Sequence, residues 1–285
     1  MEAGRRAALL GLPALLAGCS ATSVLDALVP RDSYAGQTGL AYGPDARHRI
    51  DVFRPLSPAA AAPLVLFFYG GNWARGERAD YRFVGESLAA AGAVALVADY
   101  RLSPAVRWQD ILADCALAAH WAFEHAADLG TDARRIHLMG HSAGAYNAAM
   151  LALDGRWLGR HNLAPRQLAG WIGIAGPYDF LPISDPDAQR AFDWPRTPPD
   201  SQPIAQVSAA APRSLLLAAA SDSVVNPQRS TAGLADRLRR AGVPVQLRMY
   251  ERVNHATVLG ALAGPLRWLA PVRADVLGFL SLEAV

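Results

Sequence analysis

The sequence predicts an α/β fold, one mostly parallel central sheet flanked by helices, from three observations. Continuous apolar runs at 64–69 (LVLFFY) and 93–98 (AVALVA) end in turn residues, as strands buried on both faces do. Stretches with apolar residues three and four apart separate these runs, as helices on a sheet require. A Gly-x-Ser-x-Gly stretch at 140–144 falls between a strand signal and a helix signal.

Residues 49–53 alternate polar and apolar, which predicts a half-exposed strand. The run 64–69 predicts a central strand, and 81–91 a helix through Phe83, Val84, Leu88 and Ala91. The run 93–98 predicts the next strand. Residues 108–129 predict a long helix, with Ile111, Leu112, Cys115, Ala118, Ala119 and Ala122 on one side. A short strand at 136–139 and a helix at 143–153 follow. Further strands are expected at 171–175, 214–220 and 245–250, and helices at 227–240 and 265–280. Residues 177–212 break this rhythm. They hold eight prolines in 36 positions, which excludes a regular core element and predicts a lid-like surface insertion.

Composition narrows the function. The chain of 285 residues is 52% hydrophobic with a net charge of +2, which fits neither disorder nor a nucleic-acid footprint. All 27 basic residues are arginine, so Schiff-base lysines and the P-loop lysine are excluded. Two cysteines cannot build a disulfide scaffold or a thiolate metal cage. No metal or organic cofactor is expected. Cys115, inside the long helix, reads as core filler.

Residues 1–19 read as an export signal. Arg5 and Arg6 precede an apolar stretch, 7–17, that is too short for the roughly 20 residues a bilayer span needs. It ends in Leu16-Ala17-Gly18-Cys19, which resembles the lipobox of bacterial lipoproteins. The resemblance implies acylation of Cys19, attachment to the membrane by lipid alone, and, with Ser20 rather than Asp next, the periplasmic side of the outer membrane. Residues 20–47 read as tether and lead-in, and 48–285 as the domain.

The chemistry centres on Gly140-His141-Ser142-Ala143-Gly144. A sharp strand-to-helix turn would expose Ser142, with glycines two residues either side letting the backbone crowd. Serine needs a base. Of seven histidines, His141 adjoins the serine and is a poor base. His120 and His125 lie on the long helix, His137 lies in a strand, and His48 and His161 stand in no motif. His255 follows the strand 245–250, where functional loops of parallel sheets lie. Asp222, just after the strand 214–220, would orient it. Asp179 is the second choice by the same placement, and Asp236 sits inside a helix. Tyr69-Gly70-Gly71-Asn72-Trp73 follows the first buried strand. It offers the N–H groups of Gly71 and Asn72, with that of Ala143, as an oxyanion hole.

These segments, over about 48–282, resemble the α/β-hydrolase fold. They are most similar to the hormone-sensitive-lipase-like, kynurenine-formamidase-like and BD-FAE-like esterases. The matching features are Gly70-Gly71-x-Trp73, Asp99-Tyr100-Arg101-Leu102-Ser103-Pro104, the 140–144 turn, and the order Ser142, Asp222, His255. Two positions depart from the pattern: Tyr69 replaces a histidine, and Ala218-Ala219-Ala220 stands where relatives have His-Gly. The resemblance implies a serine hydrolase acting on small-molecule carboxylic esters of small to medium acyl chains. An arylformamidase or a peptidase would use the same residues, and a catalytically silent binding module is the alternative outside enzymes. Trp171, Tyr178, Phe180, Phe192 and Trp194 either line an apolar pocket or pin the proline-rich insertion.

Overall fold

The computed structural model describes residues 25–57 and 62–282. The expected signal segment and Cys19 lie outside the described residues. Eight strands run in chain order: β1 (Ala35–Ala41), β2 (Arg49–Arg54), β3 (Ala62–Phe68), β4 (Val94–Ala98), β5 (Thr131–His141), β6 (Gly170–Ile174), β7 (Ser214–Ala219) and β8 (Val245–Tyr250). They form one sheet in the order β1-β2-β4-β3-β5-β6-β7-β8. The pairs β1·β2 and β2·β4 are antiparallel and the rest parallel. Its helices are α1 (Arg82–Ala89), α2 (Trp108–Glu124), α3 (Ala143–Leu153), α4 (Gly155–Gly159), α5 (Pro186–Phe192), α6 (Gly233–Arg240), α7 (Thr257–Gly260) and α8 (Val272–Phe279). This is the α/β-hydrolase architecture.

Sequence explains why the centre lies where it does. Every residue of β3, β4, β6 and β7 is buried, so these strands carry no polar alternation. After β3 the chain first adds β4 on one side and then returns to add β5 on the other. That reversal opens a crevice at the carboxyl ends of β3 and β5, where ligands of open parallel sheets bind. In the β3·β5 register Phe68 faces Gly140, so the turns leaving both strands start side by side.

Four expectations need correction. The strand at 49–53, expected to be half-exposed, is buried along 50–53 because β2 is paired on both sides, to β1 and β4. Residues 35–41 were part of the expected lead-in, yet they form edge strand β1. Its sequence, AGQTGLA, is largely exposed and has no apolar alternation; β1 is held by main-chain pairing to β2 and by Gly39 N–H on Asp51 Oδ1. The expected helix 265–280 is a 3₁₀ turn, Gly264–Leu269, and then α8, because Pro271 lacks the N–H to continue. The proline-rich insertion is more ordered than its composition predicts: α5 opens on an Asp185 cap bonded to Ala188 N–H, and Tyr178, Ala191 and Phe192 are buried. Cys115 is free and buried, as a core residue. No helix among the described residues is long and apolar enough to cross a membrane.

Candidate active site

Ser142 sits between β5 and α3 with φ 53° and ψ −122°, a left-handed conformation that costs a non-glycine residue about 1–3 kcal/mol. The surroundings enforce it. Ser142 N–H donates to Ile174 O on β6 at 2.9 Å. A Cβ on Gly140 would lie 2.1 Å from Gly144 O, and one on Gly144 would lie 2.0 Å from Phe68 O. Both glycines are therefore required by backbone packing, and α3 lies directly against the end of β3.

His255 and Asp222 reach Ser142 from the carboxyl ends of β8 and β7. Ser142 Oγ lies 2.9 Å from His255 Nε2, and His255 Nδ1 lies 2.7 Å from Asp222 Oδ2. A carboxylate only accepts, so Nδ1 carries the proton and Nε2 accepts from the serine hydroxyl. Asp222 Oδ1 accepts from the N–H groups of Val224 and Val225 at 2.8 and 3.0 Å. Burial opposes ionisation of Asp222, but these bonds and the His255 ring outweigh it and hold its carboxyl below the ordinary value. The loop carrying His255 is shaped by Asn254, whose Oδ1 accepts from Ala256 and Thr257 N–H at 3.1 and 2.9 Å. Ala220 N–H donates to Tyr250 O at 2.9 Å and joins the two loops at their roots. The alanines before Asp222 therefore do not disturb its placement. Asp179, the second-choice acid, is instead paired with Arg229 at 2.7 Å, and Asp236 with Arg239 at 2.9 Å.

The loop after β3 forms the other wall. Its turn places Gly71, Asn72 and Trp73 at φ 117°, 52° and 59°, and Gly71 O accepts from Ala74 and Arg75 N–H. Asn72 and Ala143 both line the cavity beside Ser142. Ala143 opens α3, where the first N–H groups have no acceptor within the helix and the dipole favours negative charge.

The tyrosine in place of the usual histidine is structurally occupied. Tyr69 is fully buried; its hydroxyl donates to Asp99 Oδ1 at 2.9 Å and accepts from Arg47 Nη2 at 2.7 Å. Asp99 also holds Arg78 through its N–H and guanidinium, at 2.8 and 2.5 Å. Tyr100 stacks on Tyr69 and donates its hydroxyl to Tyr69 O at 2.7 Å, while Ser103 N–H donates to Trp73 O at 2.8 Å. The segment 99–104 is thus the brace of the loop. Sequence reading recognised that segment only as a matching pattern; Arg47 and Asn147, which accepts from Trp73 Nε1 at 3.1 Å, carried no signal at all.

The cavity at Ser142 holds about 140 Å³ and is lined on its apolar side by Trp73, Phe180, Ile183, Ala188 and Val225. Asp185 stands at its edge and accepts from Asn72 Nδ2 at 3.1 Å. The aromatics in and near the insertion divide their work. Phe180 faces the cavity, while Phe192 packs against Trp73, Tyr146 and Trp108, and Trp171 against Tyr178. Among the described residues no group of three or more His, Cys, Asp or Glu side chains is placed to hold a metal ion.

Residues 50–238 match the BD-FAE family. The chain is 30% identical over 225 residues to esterase LipC of Mycobacterium tuberculosis, covering 72% of this chain and 56% of that protein. It is 26% identical over 248 residues to a probable isoprenylcysteine alpha-carbonyl methylesterase, ICME, of Oryza sativa subsp. japonica, covering 79% of this chain and 59% of the relative. The chain thus spans little more than half the length of these curated relatives. Among solved structures, esterase B from Lactobacillus rhamnosis superposes with a TM-score of 0.76 at 16% identity, over 91% of this chain and 92% of that one. A truncated carbohydrate esterase from gut microbiota superposes at 0.73 and 17% identity, over 88% and 97% of the two chains. The structural likeness establishes the α/β-hydrolase fold, and the match over most of the domain shows that the chain belongs to the BD-FAE family.

Proposed function

We propose that the protein is a carboxylesterase-type serine hydrolase, cleaving small-molecule carboxylic esters through an acyl-enzyme. The observation that carries this reading is the hydrogen-bonded line Ser142–His255–Asp222 opening onto an apolar cavity. His255 Nε2 takes the hydroxyl proton as Ser142 Oγ attacks the ester carbonyl. Asp222 holds the imidazole in the required tautomer and stabilises the imidazolium. The N–H groups of Gly71, Asn72 and Ala143 receive the developing oxyanion. His255 then gives its proton to the leaving alcohol as the C–O bond breaks. Water, deprotonated by the same ring, releases the acid and restores the serine. The esterase names of the relatives support the same chemistry.

The acyl group belongs at the short end of the expected range. A cavity of about 140 Å³ lined by Phe180, Ile183 and Trp73 suits an acyl group of a few carbons, and its apolar wall gives no partner to a charged tail. The alcohol leaves towards solvent. At Cys19 we propose lipidation, which would hold the domain on the periplasmic side of the outer membrane without a membrane-spanning helix. An intact-mass measurement on membrane-extracted protein tests it.

The decisive experiment is a panel of acetyl to octanoyl p-nitrophenyl esters, formyl-arylamines and aminoacyl amides on the wild type and Ser142→Ala. The expected result is ester turnover falling with chain length beyond about four carbons, and a loss of about 10⁴-fold or more in the variant. Retained hydrolysis by Ser142→Ala would sink the reading. Preferential amide cleavage would reassign the substrate class while leaving the residues in place.

A further inference from the structure

His141 precedes Ser142 in the Gly-x-Ser-x-Gly turn and is not a base for it. Its ring does not simply point away. Nε2 lies 2.8 Å from the main-chain carbonyl oxygen of His255. A carbonyl only accepts, so His141 carries its proton on Nε2 and donates. The ring is tilted 46° to the His255 ring, with centroids 5.1 Å apart. On its other side it meets the loop after β3: a Cβ added to Gly70 would lie 3.2 Å from His141 Nδ1 and 2.9 Å from Ser142 Cβ. One side chain on the nucleophile's strand therefore touches the loop of the base by a hydrogen bond and the loop of the oxyanion side by close packing.

We propose that His141 is a positioning residue: it ties the main chain of His255 to the strand that carries Ser142 and so sets the distance between base and nucleophile. The inference rests on the serine-hydrolase reading of this site. Two observations separate it from plain core filling. The tautomer that serves His255 leaves Nδ1 buried with no partner among the described residues, a cost that a leucine or phenylalanine of similar volume would not carry. Burial, followed by the neighbouring His255 charge, also pushes the His141 ring down to about 3. The ring therefore stays neutral and keeps the same donor whether His255 is protonated or not. The tie holds through the whole proton cycle, and a lysine or arginine could not replace it without bringing a charge beside the imidazolium.

The test is a pair of variants. His141→Phe keeps the bulk and loses the donor, while His141→Gln keeps an N–H at comparable reach. The expected result is a kcat about 10- to 100-fold lower in His141→Phe, with KM within twofold, and recovery of most of that loss in His141→Gln. Melting temperatures need not follow this order, because His141→Phe removes the bare Nδ1 acceptor but also leaves the His255 carbonyl without its donor. A wild-type kcat in His141→Phe, or activities that simply follow melting temperature, would overturn the proposal. If either variant fails to fold, ¹⁵N spectra of the wild-type ring decide. A neutral Nε2–H tautomer unchanged down to pH 5 supports the tie, and an Nδ1–H tautomer or titration near the ordinary histidine value overturns it. Ser142→Ala is measured alongside: activity surviving there removes the underlying mechanism, whereas an inactive Ser142→Ala with a normal His141→Phe removes only the role of His141.

Discussion

Ser142 is enclosed by two walls that are held by different physics. On the elbow side, β5 turns into α3 with main-chain atoms in contact: Gly140, Gly144, Phe68 and Ile174 leave no room for a methyl group. On the oxyanion side, the loop after β3 is held mainly by removable side-chain bonds, from Arg47 and Tyr69 through Asp99 to Arg78, with the Tyr100 hydroxyl above and one main-chain bond from Ser103. Farther out, the insertion reaches that loop through exposed pairs, Arg75 with Asp187 and Asn72 with Asp185. The geometry of Ser142 is thus built into the sheet, whereas the loop proposed to stabilise the transition state hangs on a polar network. The first should fail all at once and the second in steps.

The largest effect should come from Gly144→Ala. Its methyl would meet Phe68 O at 2.0 Å, main chain against main chain, so neither side can yield by changing a rotamer. A loss of about 4 kcal/mol or more in urea unfolding is expected, along with loss of activity. A variant of near-normal stability would show that the elbow has slack.

Acid should separate the two walls next. β5 carries two buried neutral histidines: burial, then the Arg213 charge, pushes His137 down to about 4, and burial pushes His141 down to about 3. Both values lie below that of an unfolded histidine, so the unfolded chain takes up protons first as pH falls. The stability present above about pH 6.5 is then lost as pH falls towards about 4 for His137 and about 3 for His141, on the order of 2 kcal/mol per histidine by pH 5. Urea midpoints at pH 7 and pH 5 measure the loss. His137→Gln should flatten the dependence by about half, and an unchanged slope would show that His137 is solvated.

Tyr69→Phe should give a smaller, graded effect. It removes the hydroxyl between Arg47 and Asp99 but keeps the stacking on Tyr81 and Tyr100. We expect a loss of about 1–2 kcal/mol and a roughly tenfold fall in kcat, with the cooperativity of unfolding unchanged. If Tyr69→Phe is as damaging as Gly144→Ala, the contrast between the walls is wrong. Arg75→Ala should be the mildest. That side chain is two-thirds exposed, and its pair with Asp187 should be worth less than about 1 kcal/mol. A large change in activity would mean that the insertion governs the loop.

The legible parts of this molecule were those written in local patterns. The buried strands β3, β4 and β7 appear as unbroken apolar runs because both faces are covered. Ser142, Asp222 and His255 follow β5, β7 and β8, so their place along the chain already put them at one end of the sheet. The edge strand β1 was not legible, since its residues bury little and its partner is chosen by main-chain bonds. Nor was the order within the insertion: proline content signals irregular backbone but says nothing of where Phe180 and Phe192 lodge.

The sequence by itself determined the fold class, the three residues that meet at 2.7 and 2.9 Å, and the family they belong to. Only the tertiary structure decided what holds them. Arg47, Asp99, His141 and Asn147 are distant in sequence from the atoms they fix, and their partnerships arise only where the sheet brings the loops at one end of β3, β4, β5 and β8 together. A strand or an elbow is set by neighbours a few residues away. A brace between loops depends on which strands the sheet makes adjacent, and no local pattern records that.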